Sequence, residues 1–322
     1  MPKVIAYAPS DSVVHGLVEK HSPTGWNVVR LDPASTPVEK LHGELADADF
    51  LMFFYGEVTE DMLRAGKKLR LVQSLHAGFD DVPVRLAGEL GMAVANASGT
   101  NSQGVAELAL TLMLSLYRHL IWTDSALRQG QWMVDRATGH DTYEIEGKTV
   151  GIVGLGNIGS ITARLVNAFN TRILYTDIKA NHGMERMVGA ERVSLDHLLS
   201  ESDIVTMHTP LNDSTRGMIG RNELGLMKRS AILINTSRGP VVQQDALVDA
   251  LLERRIWGAG LDVFEQEPAD PDNPLFKLDN VVVVPHLAGQ TYESYPRRVQ
   301  LAFSNMQQVL DGTAPRNLVT RL

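Results

Sequence analysis

Thr149-Val150-Gly151-Ile152-Val153-Gly154-Leu155-Gly156-Asn157-Ile158-Gly159 is the stretch that decides the fold. Five strand-forming residues run straight into three glycines, and an amphipathic helix is predicted over Ile158–Phe169. Gly154 permits a tight turn. Gly156, with no Cβ, lets a pyrophosphate approach the backbone, and Gly159 lets helix and strand pack closely. Asn157 and Ile158 stand at the helix entry, where free N–H groups and a partial positive charge favour phosphate. Glycines also occur in ordinary turns, so the strand–turn–helix setting is what gives the pattern its force.

A second strand, Arg172–Thr176, ends in Asp177, 23 residues after Gly154. A carboxylate there can accept hydrogen bonds from the adenosine ribose hydroxyls. It would also repel a 2′-phosphate, so the expected cofactor is NAD rather than NADP, with Lys179 pulling the other way.

Outward from this unit, β-type and helix-type segments alternate. Strands are predicted at Val4–Ala8, Asp49–Tyr55, Leu69–Leu75 and Met92–Ala97. A second series follows at Thr149–Val153, Arg172–Thr176, Asp203–Met207, Ala231–Ile234, Gly258–Val263 and Val281–Val284. Helices are predicted at Ser194–Ser200, Asp245–Glu253 and Ser294–Leu310, and Thr59 reads as an N-cap. Such alternation means parallel sheets covered by helices. Val105–Arg118 is apolar nearly all round, as in a helix buried between domains or subunits. Gln131–Glu146, with Trp132 and Tyr143, is either a surface loop or an arm that packs on another subunit.

The chain has 322 residues, about two domains' worth at roughly 150 each. It is 44% hydrophobic and 21% charged, with no cysteine. Disulfide scaffolds, thiol nucleophiles, iron–sulfur clusters and cysteine zinc sites are therefore excluded. The net charge of −8 and the lack of a basic stripe argue against nucleic acid; Lys67-Lys68-Leu69-Arg70 is too short to supply one. No apolar run approaches the ~20 residues of a membrane helix, and the N-terminus has no signal-peptide core. A cytoplasmic location is expected. The ten histidines show no metal-ligand spacing, and Asp270–Asp279 carries Pro271 and Pro274, so no metal is expected.

Three further segments lie beyond strand ends, where open α/β sheets bind ligands. They are Ile234-Asn235-Thr236-Ser237-Arg238-Gly239, Leu261-Asp262-Val263-Phe264-Glu265-Gln266-Glu267-Pro268 and Val284-Pro285-His286-Leu287-Ala288-Gly289. With the glycine loop and Asp177, these ordered motifs resemble the D-isomer-specific 2-hydroxyacid dehydrogenase family over essentially the whole chain. The resemblance implies Arg238, Glu267 and His286 as catalytic residues. A histidine can serve as base for hydroxy-acid oxidation and as acid for the reverse reaction. A carboxylate beside it orients the ring and stabilises its cation, and an arginine fork suits the substrate's carboxylate and carbonyl oxygen.

By the same resemblance Asp262 meets the nicotinamide carboxamide and Thr209-Pro210 lies beside the adenosine. Thr236, Ser237, Arg238, His286 and Gly289 complete the expected cofactor contacts. Leu75-His76-Ala77-Gly78-Phe79-Asp80 resembles a loop whose backbone N–H groups bind the substrate carboxylate. His76 either contacts substrate or flanks that loop, and Tyr55 would face the substrate. Tyr292 and Tyr295 either shape the pocket or start a helix.

The expected architecture is two flavodoxin/Rossmann-like α/β domains with parallel sheets, the first discontinuous. Residues 1–98 with 290–322 would bind substrate and 99–289 would bind NAD, with the site in the cleft between them and a homodimer as the assembly. The expected activity interconverts a small D-2-hydroxy acid and its 2-keto acid, with glyoxylate and hydroxypyruvate favoured. Phosphoglycerate, phosphite or formate oxidation are alternatives within the fold. A rival of another kind is an NAD-sensing binding protein like the related corepressors, against which the intact Arg238/Glu267/His286 set argues.

Overall fold

The apolar runs become strands of two parallel sheets in the computed structural model, which describes residues 1–132 and 142–320. By internal contacts the chain divides into residues 1–101 with 290–322, here unit 1, and 102–289, unit 2.

Unit 1 opens with β1 (Lys3–Tyr7), α1 (Val13–His21), β2 (Asn27–Leu31), α2 (Val38–Leu45) and β3 (Phe50–Phe53). It continues with α3 (Glu60–Ala65), β4 (Leu71–Ser74), α4 (Val84–Glu89) and β5 (Ala93–Ala95). The sheet order is β2-β1-β3-β4-β5, all parallel, the flavodoxin-like arrangement, whose order reverses between β1 and β3. β3 and β4 are buried at every position: β3 is apolar throughout, and β4 ends in the buried, hydrogen-bonded polar pair Gln73 and Ser74. Thr59 does cap α3, accepting the Met62 N–H at 3.3 Å.

Unit 2 begins with two helices, α5 (Ser102–Tyr117) and α6 (Leu120–Arg128), bent 62° apart where His119 takes φ 48°. Then come β6 (Thr149–Val153), α7 (Asn157–Asn167), β7 (Arg172–Thr176), α8 (His182–Val188), β8 (Glu191–Arg192) and α9 (Leu195–Glu201). The second half runs β9 (Ile204–Met207), α10 (Arg221–Leu226), β10 (Ile232–Asn235), α11 (Gln244–Leu252), β11 (Gly258–Leu261) and β12 (Val281–Val283). Its seven parallel strands are ordered β12-β11-β10-β9-β6-β7-β8, with the reversal between β6 and β9. This is the Rossmann order with one strand added.

The chain closes in unit 1 as α12 (Ser294–Leu310), within the bounds predicted from sequence. Val299, Ala302, Phe303 and Met306 of α12 join the core built on Val4, Phe50, Met52 and Leu71. A buried polar tie reinforces it: Asn305 donates to Gln73 Oε1 at 2.8 Å and to the Arg316 carbonyl at 3.0 Å.

Two strands carry no clear sequence signal. β2 is half-exposed along its length and β8 has two residues, so neither holds a long apolar run. The strand expected to reach Val263 stops at Leu261, because Asp262 turns to receive backbone N–H groups of a later segment. Most of the expected arm over 131–146 falls on residues 133–141, outside the described residues; beyond it Tyr143 packs edge-on against Trp257. Among the described residues no single helix is long and apolar enough to cross a membrane; only the bent α5–α6 pair passes by length and composition.

Candidate active site

The glycine loop follows β6 as its sequence requires. Gly154 adopts φ +95°, a left-handed conformation that a side chain would strain, and a Cβ there would lie 2.9 Å from the His208 carbonyl. A Cβ on Gly159 would stand 2.1 Å from Gly154 O, so α7 can pack this closely only with glycine. A Cβ on Gly156 would meet nothing within 4 Å, so the loop is open on that side. Asp177, just past β7, turns its carboxylate into the loop: Oδ2 accepts the Leu155 N–H at 2.7 Å and Oδ1 the Lys179 N–H at 3.2 Å.

Sequence reasoning missed Arg192 of β8. Its guanidinium donates to the Asp177 carbonyl at 2.8 Å and to the Ile178 carbonyl at 3.3 Å, which places a cation beside the acidic residue. The pairing of the two-residue β8 with β7 is what brings it there.

The carboxyl ends of β9 and β10 carry buried polar atoms that meet no hydrogen-bond partner among the described residues: His208 Nδ1, Thr209 Oγ1 and Thr236 Oγ1. Burying such groups unsatisfied costs on the order of 1–3 kcal/mol each. Burial pushes the His208 imidazole down to about 3, so it is neutral at ordinary pH. The open glycine loop, a helix N-terminus and this set of unmet polar atoms fit a dinucleotide laid across the strand ends.

The three expected catalytic side chains all belong to unit 2. Asn235 ends β10 and organises the Ser237–Arg238 turn: its Oδ1 accepts from Ser237 N at 3.1 Å and Oγ at 2.8 Å, and its Nδ2 donates to the Arg238 carbonyl at 3.0 Å. Arg238 is extended and donates to the Ser237 carbonyl at 2.8 Å. A Cβ on Gly239 would fall 1.8 Å from Phe264 O, so glycine is what lets the Arg238 segment lie against the turn that carries Glu267.

Glu267 Oε1 accepts the Phe264 N–H at 2.9 Å, and Oε2 lies 2.6 Å from His286 Nδ1. Burial works to raise this carboxyl. The hydrogen bond and charge of His286, the Phe264 N–H and Arg238 outweigh it and hold the group below its usual range. His286 itself sits at φ 52°, its N–H donating to the Asp262 carbonyl at 2.8 Å.

Asp262 is fully buried, and burial pushes its carboxyl up to about 6, against the opposing pull of two backbone bonds and His286. Its Oδ1 accepts from Leu287 N at 2.8 Å and its Oδ2 from Ala288 N at 3.1 Å. The residue expected to meet the carboxamide thus also clamps the histidine segment.

The unit 1 candidates form their own cluster beyond β3 and β4. Tyr55 takes φ 64°, rare for a bulky residue, and its N–H donates to His76 Nε2 at 3.3 Å. The His76 ring stacks on Phe54 at 4.6 Å and 9°. Within the loop, Ser74 Oγ accepts the His76 N–H at 3.1 Å and donates to the Gly78 carbonyl at 3.2 Å, while Asn96 Nδ2 donates to the Ala77 carbonyl at 2.7 Å. The loop is thus held largely through its carbonyls. Tyr295 packs edge-on against Phe54 and donates to Gln290 Oε1 at 3.1 Å, whereas Tyr292 is 89% exposed at the helix entry.

Arg298, another residue missed in the sequence, lies buried beneath this cluster. Its signal was its place one turn before Ala302 on the buried face of α12.

The sequence profile described as D-isomer specific 2-hydroxyacid dehydrogenase, NAD binding domain, matches residues 110–288. A glyoxylate reductase of Korarchaeum cryptofilum is 42% identical over 82% of this chain and 80% of its own length. The chain belongs to the D-isomer-specific 2-hydroxyacid dehydrogenase family. It is an oxidoreductase with a nicotinamide-cofactor domain. A glyoxylate reductase of Aeropyrum pernix is 40% identical over 88% of this chain and 87% of its own length. Among solved structures, a protein of Thermus thermophilus superposes with TM-score 0.86 at 29% identity, covering 99% of this chain and all of that one (100%). An NADPH-dependent glyoxylate/hydroxypyruvate reductase of Sinorhizobium meliloti, in complex with NADP and malonate, gives TM-score 0.84 at 27% identity over 99% of this chain and 96% of its own.

Proposed function

We propose that this member of the family interconverts a small D-2-hydroxy acid and its 2-keto acid, with glyoxylate and hydroxypyruvate as favoured substrates and NAD(H) preferred over NADP(H). The observation that carries this reading is the 2.6 Å pairing of His286 with Glu267 on the strand ends that also present Arg238. The relatives named as glyoxylate reductases support the substrate class.

In reduction, the bound nicotinamide supplies hydride to the carbonyl carbon. His286, protonated, gives its proton to the carbonyl oxygen, and in oxidation it takes the hydroxyl proton back. Glu267 holds Nδ1–H, which leaves Nε2 as the nitrogen that moves the proton and stabilises the imidazolium. Arg238 pairs with the carboxylate and the carbonyl oxygen of the acid. Ala77 and Gly78 offer backbone N–H groups to the substrate carboxylate, with Tyr55 and His76 alongside.

Gly154, Gly156, Asn157, Ile158 and Gly159 would hold the pyrophosphate. Asp177 would take the ribose hydroxyls, Thr209 and Pro210 would flank the adenosine, and Thr236, Ser237, Asp262 and Gly289 would line the nicotinamide end. Asp177 supports NAD; Arg192, on the Asp177 and Ile178 carbonyls, makes the choice a close one to measure.

We also propose a homodimer built on unit 2. α6 leaves Leu120, Ile121 and Leu127 more than half exposed, a contiguous apolar face that a second copy would cover. Steady-state reduction of a panel of 2-keto acids with NADH and with NADPH tests the reading. Turnover of glyoxylate or hydroxypyruvate is expected, and cofactor binding without turnover of any acid would overturn it.

A further inference from the structure

Arg298 is 2% exposed, among the most deeply buried charged groups of the described residues. Taking a guanidinium out of water costs several kcal/mol unless its surroundings compensate. Part of that compensation is visible: its Cζ stands 5.2 Å from the centre of the Tyr295 ring and 5.6 Å from that of Phe54. Burial lowers its affinity for its proton, and Tyr295, Tyr55 and Arg297 are among the ionisable groups that act on it. Arginine keeps its charge at any ordinary pH all the same.

The rings it touches are the ones that shape the candidate substrate loop. Phe54 carries the His76 ring on its face and meets Tyr55 edge-on at 4.4 Å. Tyr55 and Tyr295 both bond to Gln290 through their hydroxyls. The carboxyl ends of β3 and β4, beside the sheet's point of reversal, therefore end in an aromatic wall with a fixed positive charge set behind it. A left-handed Tyr55 in that wall is backbone strain of the kind found where ligands are clamped.

We propose that Arg298 is a specificity-determining positioning residue that makes this wall of unit 1 select an anionic carbonyl substrate over a neutral one. It acts through the positive potential it lends to the loop of His76, Ala77 and Gly78 and through the Phe54 and Tyr295 rings it holds. The assignment rests on the 2-keto acid reductase reading above.

The test is Arg298→Met beside Arg298→Lys, each assayed with a 2-keto acid and with its uncharged 2-keto amide. For the Met variant the acid's KM rises on the order of tenfold, kcat falls by less than about threefold, and the amide's KM stays as in wild type. The Lys variant restores most of the acid's KM. Equal rises for acid and amide, or no rise for either, would overturn the proposal by reducing Arg298 to packing. If the Met variant does not fold, the Lys variant decides: a preference for acid over amide kept within about threefold supports the role of charge, and a lost preference contradicts it. If wild type turns over neither compound, the reductase reading is what fails. Calorimetric binding of oxalate then judges Arg298 alone, with weaker binding by the Met variant expected and equal binding contradicting it.

Discussion

His286 Nδ1 lies 2.6 Å from Glu267 Oε2, and the other oxygen of that carboxylate is fixed by the Phe264 N–H at 2.9 Å. The carboxylate is therefore not a free counter-ion. It is oriented from one side so that its second oxygen meets the ring. Substituting His286→Asn keeps an amide near that carboxylate but removes the proposed proton donor, and a loss of kcat of about 10²–10⁴-fold is expected. Glu267→Gln should cost less, about 10–100-fold, since it disturbs the ring's tautomer and cation without removing the acid. Single-turnover kinetics with bound NADH measures both.

Arg238→Lys tests the planar fork. A lysine keeps the charge but offers no paired donors, so KM for the 2-keto acid should rise at least about tenfold with a further loss in kcat. Steady-state kinetics that match wild type would remove Arg238 from substrate binding.

Asp177 and the loop it grips are proposed to set the cofactor preference. Asp177→Ala removes both the proposed acceptor for the ribose hydroxyls and the bond to Leu155 N–H. Affinity for NADH should fall more than affinity for NADPH, moving the ratio by about tenfold toward NADPH. Fluorescence titration of each cofactor reads this. Arg192→Ala should move the ratio the opposite way.

The buried Asp262 predicts a pH dependence of stability. Its carboxyl is raised from an unfolded value of about 3.9 to about 6 in the fold, so the folded state holds the proton more tightly. Its contribution is fully present below pH ~4 and is lost as pH rises through about 6, with an amplitude on the order of 3 kcal/mol. Glu267, held low, contributes in the opposite sense, losing stability as pH falls through its depressed value. Denaturant melts across this window should show the fall, and Asp262→Asn should flatten it.

Gly159→Ala should damage the molecule more than an ordinary helix Gly→Ala change, because the new Cβ meets Gly154 O at 2.1 Å. A lower melting temperature together with weakened cofactor binding is expected. A thermal melt and an NADH titration on the same sample check it.

Much of this was legible in the sequence, for physical reasons. Strands buried on both faces, such as Phe50–Phe53 and the Ile232–Ile234 part of β10, need unbroken apolar runs and so announce themselves. The glycines at 154 and 159 were readable because backbone contacts leave no room for a side chain. β2 was not legible: its outer positions face water, and its run of Val28-Val29 is too short to stand out. Arg192 and Arg298 were hidden for a different reason. An arginine reads as surface until its element is placed, and only the pairing of β8 with β7 and the inward face of α12 give these two their settings. Thr209 and Thr236 were expected at the cofactor only through the family resemblance, and neither their unmet hydroxyls nor the buried His208 beside them could be read, since burial of single atoms is not encoded in residue type.

The central claim is that this chain reduces a small 2-keto acid with His286 as the proton donor. The most direct test follows the loss of NADH on adding glyoxylate to wild type and to the His286→Asn variant, with NADH binding measured in both. Turnover by wild type is expected, with NADH binding retained by the variant and its kcat lower by at least about 10²-fold. Wild-type turnover matched by the variant would contradict that claim.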